Sequence, residues 1–72
     1  MKTVLISGAS EGLGKAIAQT FSSDPNYKVI IFSTDQVKIA QTGANLNCDY
    51  YTCDVTNYAA LESMLNEIVA KN

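Results

Sequence analysis

The chain has 72 residues, 47% of them hydrophobic and 17% charged, with a formal net charge of −2 at pH 7. This length allows at most one small domain, burying only about 60% of its unfolded surface, and the composition is globular rather than disordered. Five scattered lysines (Lys2, Lys15, Lys28, Lys38 and Lys71) and no arginine exclude the basic face that a nucleic-acid binder needs.

Thr3–Ser7 reads as a first strand, because Thr3-Val4-Leu5-Ile6 is a β-forming run that suits burial. Met1-Lys2 before it resembles the start of a signal peptide, but the apolar part stops too soon, at Ser7-Gly8. No apolar run approaches the ~18 residues of a membrane span, so no membrane partner is expected and a cytoplasmic location is the default. A turn carrying Gly8, Gly12 and Gly14 follows. The first helix runs from Glu11 or Gly12 to Ser22 or Ser23, with Leu13, Ile17 and Phe21 at helical spacing. Asp24-Pro25-Asn26 is a turn, since proline cannot continue the helix.

The second strand is Tyr27–Ser33. Its Val29-Ile30-Ile31-Phe32 is apolar without alternation, which implies burial on both faces, as in a parallel sheet. Asp35–Gln41 reads as a short helix ended by Gly43. Asp49–Asp54 is the third strand, preceded by turn-prone Asn45 and Asn47, with Tyr50 and Tyr51 on opposite faces. Cys48 and Cys53, placed on that strand, fall on opposite faces roughly 17 Å apart, which excludes a disulfide. Without a histidine they also make a poor metal site, so no metal is expected and both read as small apolar side chains. Thr56 or Asn57 caps a last helix, in which Leu61, Met64, Leu65, Ile68 and Val69 form a core-facing stripe.

Strands alternating with helices in the order βαβαβα imply a parallel sheet with right-handed crossovers. The fold class is α/β: a three-stranded parallel sheet of order 3-2-1 flanked by helices, the first half of a Rossmann-like doubly wound fold.

The glycine turn carries the chemistry. Helix-start N–H groups lack internal partners, the helix dipole is positive there, and glycine lets an anion approach without meeting a Cβ. The spacing is G-x-x-x-G-x-G, which is not the G-x-G-x-x-G dinucleotide fingerprint. Nor is it a P-loop, because five residues separate Gly8 from Gly14 and Ala16 follows Lys15. A turn that merely packs helix on strand is the structural alternative, and its place after the first strand of a βαβ pattern argues against it.

Ile6-Ser7-Gly8-Ala9-Ser10-Glu11-Gly12-Leu13-Gly14 resembles the T-G-x-x-x-G-[IL]-G motif of the short-chain dehydrogenases/reductases, with Ser7 in place of the usual threonine. Cys53-Asp54-Val55-Thr56 is similar to the family's C-D-V-[TS] after its third strand. The resemblance covers all 72 residues and implies a partial dinucleotide-binding domain over 1–72, the amino-terminal portion of an oxidoreductase that binds NAD or NADP. It implies that Gly8 makes the tight turn, that Ser10 and the backbone near Leu13 face the phosphates, and that Gly12 allows their close approach. Gly14 lets the helix pack on the sheet. The resemblance also implies that Asp54 accepts a hydrogen bond from the adenine amino group and that the Val55 N–H meets the ring.

An acid at the end of the second strand would hold the ribose hydroxyls and repel a 2′-phosphate. That place holds Ser33 and then Thr34, and Asp35 is the only nearby acid. NADP-preferring relatives place a basic residue at the position of Glu11 or Thr34, and neither is basic here. Ser33 and Thr34 hydroxyls can still hold a phosphate; the balance leans to NAD.

The family's hydride transfer uses a tyrosine acid/base, a lysine four residues later and a serine. Ile31, Asp54, Val55 and Glu62 stand four residues after Tyr27, Tyr50, Tyr51 and Tyr58, so this chain holds no Y-x-x-x-K, and no N-N-A-G segment either. No catalytic residue is therefore assigned, and this chain alone is expected to be inactive. The expectation is an amino-terminal segment of a larger enzyme; the alternative is a stand-alone, non-catalytic nucleotide-binding or interaction module. In order 3-2-1 the first strand is an edge, so self-association or pairing with a carboxy-terminal half is expected.

Overall fold

A computed structural model describes residues 2–71. The elements are β1 (Lys2–Ser7), α1 (Gly12–Ser22), β2 (Tyr27–Ser33), α2 (Gln36–Leu46), β3 (Asp49–Thr52) and α3 (Tyr58–Lys71). The sheet has the order β1-β2-β3, all parallel, with Leu5 opposite Ile30 and Phe32 opposite Tyr51. This is the expected three-stranded α/β arrangement.

The unalternating run in β2 has a direct structural cause: the strand is covered on both sides. Val29 and Ile31 pack with Ile6, Ala9, Ala18 and Ile39 beneath α1 and α2. Ile30 and Phe32 pack with Cys53, Met64 and Ile68 beneath α3. Ile30, Ile31 and Ile39 are fully buried, each contributing about 1.5–3 kcal/mol of transfer free energy. Cys48 joins the first cluster and Cys53 the second, so the two free thiols do lie on opposite sides of the sheet. Burial, then the neighbouring Asp49 carboxylate, pushes the Cys48 thiol above its ordinary pKa.

Several expectations need correction. The β1 run is only partly buried: among the described residues β2 alone pairs with it, and Ile6 is buried, Val4 half-buried and Leu5 38% exposed. α1 forms over the Leu13–Ile17–Phe21 spacing, and of these three Phe21 packs on the first core cluster. Leu13 and Ile17 are exposed, and Ala18 is the fully buried position. The small residues Gly14 and Ala18, one turn apart, bring the helix close to the sheet, and that rotates Leu13 and Ile17 outward. α2 does not end at Gly43. The Tyr50 ring lies directly against Gly43, which continues the helix to Leu46. The terminator is Asn47, left-handed at φ 54°, and the Cys48 N–H closes the end on the Gly43 carbonyl.

β3 stops at Thr52 rather than Asp54, so Cys48 and Cys53 flank the strand instead of lying on it. Asn57, not Thr56, caps α3: its Oδ1 accepts from the Ala60 N–H at 3.2 Å. Met64 and Ile68 are buried there, but Leu65 and Val69, one position further around the helix, are 38% and 76% exposed. Three strands are too narrow a sheet to cover the whole stripe. Among the described residues no helix is long and apolar enough to cross a membrane.

Candidate functional site

The carboxyl ends of the three strands meet at one edge of the sheet. Backbone hydrogen bonds continue past the strands themselves: Gly8 N–H donates to Phe32 O at 2.9 Å, and Cys53 N–H donates to Ser33 O at 3.0 Å. The glycine turn, the Ser33-Thr34 pair and the Asp54-Val55 pair, distant in sequence, therefore sit side by side. In an open parallel sheet this is the edge where ligands bind.

The turn itself is built by two different uses of glycine. Gly14 has no room for a side chain, since a Cβ there would collide with the Gly8 carbonyl oxygen. That contact seats the first turn of α1 directly on the end of β1. Gly12 is the opposite case. Its φ is +66°, which side chains disfavour, and a Cβ on it would meet nothing within 4 Å. Gly8 shares that positive φ. Gly12 therefore places no side chain of its own over the start of α1, where helix N–H groups lack internal partners. The Glu11 side chain, at the capping position, makes no capping bond to the helix.

Side chains then lock the turn to its neighbours. Ser33, 9% exposed, donates from Oγ to Ser10 Oγ at 3.1 Å and accepts from the Asp35 N–H at 3.2 Å. Thr42, 2% exposed, donates to the Lys38 carbonyl at 3.0 Å and lies 3.5 Å from the Ser10 carbonyl. Asp35 caps α2 by accepting from the Lys38 N–H at 2.9 Å. Lys38 Nζ reaches across to Glu11 Oε2 at 3.3 Å. Thr34 is exposed beside them.

On the far side, Asp54 Oδ1 accepts from the Thr56 hydroxyl at 2.7 Å and the Thr56 N–H at 2.9 Å. These two bonds, the hydroxyl first, hold the exposed carboxyl below the ordinary carboxylate range. Asp54 thus shapes the turn into α3 as well as presenting a charge at the sheet edge. Val55 and Leu13 are exposed at 44% and 78%.

All ten positions singled out from sequence (Gly8, Ser10, Glu11, Gly12, Leu13, Gly14, Ser33, Thr34, Asp54 and Val55) belong to segments at this one edge. Sequence reasoning missed Lys38 and Thr42. The Asp35-x-x-Lys38 spacing carried a capping signal, but the cross-chain partner of Lys38 had none. Ending α2 early also removed Thr42 from view. A dinucleotide fits the arrangement on one structural ground: the space beside Gly12 at the start of α1 is open, so no side chain of that residue stands in the way of an anion approaching the backbone.

Comparison with known proteins gives the family and the fold. The family model described as short chain dehydrogenase matches residues 2–72. A search of curated proteins found no match. Among 46 matching solved chains, the citronellol catabolism dehydrogenase of Pseudomonas aeruginosa PAO1 superposes with a TM-score of 0.90 at 17% identity. The match covers 97% of this chain and 31% of that one, so this chain spans about a third of that protein's length.

Proposed function

Because this chain belongs to the short-chain dehydrogenase family, we propose that its sheet edge binds the adenine, ribose and phosphate parts of NAD or NADP. The observation that carries the reading is the open backbone at Gly12, at the start of a helix seated on β1 by Gly14. The pyrophosphate would take the N–H groups at the start of α1, with the Ser10 hydroxyl beside them. The second oxygen of the Asp54 carboxylate would accept from the adenine amino group, and the ionised state of Asp54 at neutral pH favours that bond. Ser33 and Thr34 stand between these two ends, at the place of the adenosine ribose.

When bound, the dinucleotide supplies the hydride carrier for exchange between a carbonyl and an alcohol. The residues of this chain bind and orient it, and none of them is assigned to proton transfer. In a longer protein of the family the chain would be the amino-terminal part of an oxidoreductase. The open outer edge of β1 would then pair with a further strand, or otherwise with a second copy of the chain. Titration with NAD, followed at the amides of the turn and of Val55, tests the reading.

A further inference from the structure

The outer edge of β1 presents its backbone in a definite pattern. Lys2 N–H donates to Asn26 O and Gly8 N–H to Phe32 O, so the even-numbered residues of β1 turn their N–H and C=O groups toward β2. Thr3, Leu5 and Ser7 therefore turn theirs outward, where among the described residues no strand pairs with them. Their side chains share the face of Ile30 and α3, since Leu5 stands beside Ile30.

Apolar surface continues around this edge on both faces of the sheet. On α3, Met64 and Ile68 face the sheet, and Lys71 lies 5.9 Å from the Tyr51 ring centroid, on the β3 side. At about 100° per residue, Tyr58, Leu65 and Val69 fall on the opposite flank, toward β1, and all three are exposed. On α1, Ser22 lines a cavity with Leu46 and Asn47 at the end of α2, which marks the inner flank of that helix. Leu13 and Ile17 lie on its other flank and are exposed. With Leu5, these make six of the nine large apolar side chains exposed among the described residues, gathered around one strand edge.

We propose that this surface binds a second copy of the chain, in a two-fold dimer whose β1 strands pair antiparallel with Leu5 on the axis. In that register Thr3 stands opposite Ser7 of the second copy, Leu5 opposite Leu5, and Ser7 opposite Thr3. Each of these pairs exchanges both of its backbone bonds, so every outward N–H and C=O of the three residues is satisfied. No charged residue stands in the paired stretch, and the facing Thr3 and Ser7 hydroxyls suit one another. An axis normal to the sheet keeps α1 beside α1 and α3 beside α3. Leu13 and Ile17 therefore meet their own copies, as do Tyr58, Leu65 and Val69, and the contact is isologous. Leu5, Ile17 and Leu65 stand near the middle of β1, α1 and α3, close to the axis. Six large apolar side chains and the strand edge between them offer an area on the order of the 800 Å² that each partner gives to a stable interface. The dimer does not depend on the dinucleotide. Its antiparallel strands place the two glycine turns at opposite ends of one continuous sheet, both open.

The test is sedimentation and NMR hydrogen exchange of the unmodified chain over a range of concentrations. The mass is expected to level off at that of a dimer. The amides of Thr3, Leu5 and Ser7 are expected to pass from unprotected to protected, slowing about tenfold at ten times the dissociation constant. Those of Val4 and Ile6, bonded to β2, are expected to be protected at every concentration. In a mixture of labelled and unlabelled chains, Val4 and Ile6 of different copies form a close pair, about 4.5 Å between Cα atoms, so a contact between their Hα protons is expected. Chemical synthesis with an N-methyl group on the Leu5 amide blocks the central outward donor and no bond to β2. That chain is expected to remain monomeric, with circular dichroism reporting whether the fold is kept; the exchange and contact measurements stand without it. A monomer at every concentration, a mass that grows without limit, or association that leaves the three amides unprotected overturns the proposal. So does an intermolecular contact in another register, or a folded N-methylated chain that dimerises as tightly as the unmodified one.

Discussion

Ser33 Oγ donates a hydrogen bond to Ser10 Oγ at 3.1 Å, joining the end of β2 to the middle of the glycine turn. The same oxygen accepts from the Asp35 N–H. One hydroxyl thus fixes the turn and the start of α2 together, and both of its bonds lie in a nearly buried place.

Ser33→Ala removes the donor to Ser10 and leaves the Asp35 N–H without its acceptor. The expected loss is about 1–2 kcal/mol, or roughly 5–10 °C in the unfolding midpoint of a domain this size. Calorimetry or circular dichroism measures it. An unchanged midpoint would show that the two bonds are replaced by water at no cost.

The glycines of the turn separate stability from binding. Gly14→Ala places a methyl group against the Gly8 carbonyl, so it is expected to destabilise by about 1–3 kcal/mol and loosen α1 from β1. Gly12→Ala meets no atom, and its cost to folding is the positive φ, about 1–2 kcal/mol. Yet that methyl stands where the proposed phosphate would approach the backbone, so dinucleotide affinity is expected to fall about tenfold, equivalent to roughly 1.4 kcal/mol. Parallel melting and titration curves distinguish the two. Equal loss of binding per unit of stability in both variants would argue against phosphate approach at Gly12.

The elements and the parallel sheet were legible in the sequence because β2 is apolar on both faces and Pro25, Asn47 and Asn57 sit at element ends. What was not legible depends on partners far away in the chain. Gly43 looks like a helix stop until Tyr50 is placed over it. Leu13 and Ile17 mark a helix by their spacing, but that spacing does not say that both stay exposed once Gly14 is seated on Gly8. The site positions were nameable from sequence because they lie in local motifs, and the fold brings those motifs to one edge of the sheet. Lys38 was not, because its role is a contact between two helices and no local spacing encodes it.

Asp54 gives a pH dependence with a definite sign. Its carboxyl titrates lower in the fold than in the unfolded chain, because the Thr56 hydroxyl and N–H bond its charged form. The stabilisation is therefore present above the unfolded value, about pH 4, and is lost as the pH falls through the lower folded value. Adenine binding through Asp54 is expected to weaken over the same acid range. Thr56→Val keeps the N–H bond and removes the hydroxyl, so the Asp54 pKa is expected to rise toward its ordinary value. NMR titration of the Asp54 side chain reads it directly, and an unmoved pKa would refute the assigned cause.

The outer edge of β1 predicts association. Leu5 is 38% exposed on a strand whose only described partner is β2, and such edges pair with other strands. In sedimentation, the average mass of the chain is expected to rise with concentration. Leu5→Lys, a substitution of the kind that blunts natural edges, is expected to reduce that rise. A cooperatively melting monomer at every concentration would contradict the prediction.

The central claim is that the sheet edge between Gly8–Gly14 and Asp54-Val55 is a dinucleotide site. An NMR titration of the labelled chain with NAD tests it most directly. The account predicts saturable shifts at the amides of Gly8, Gly12, Leu13 and Val55, with weak affinity, in the millimolar range near −4 kcal/mol, since only the adenosine and phosphate contacts are present. Shifts confined to other surfaces, or none at these four amides as NAD approaches ten times that range, would contradict it.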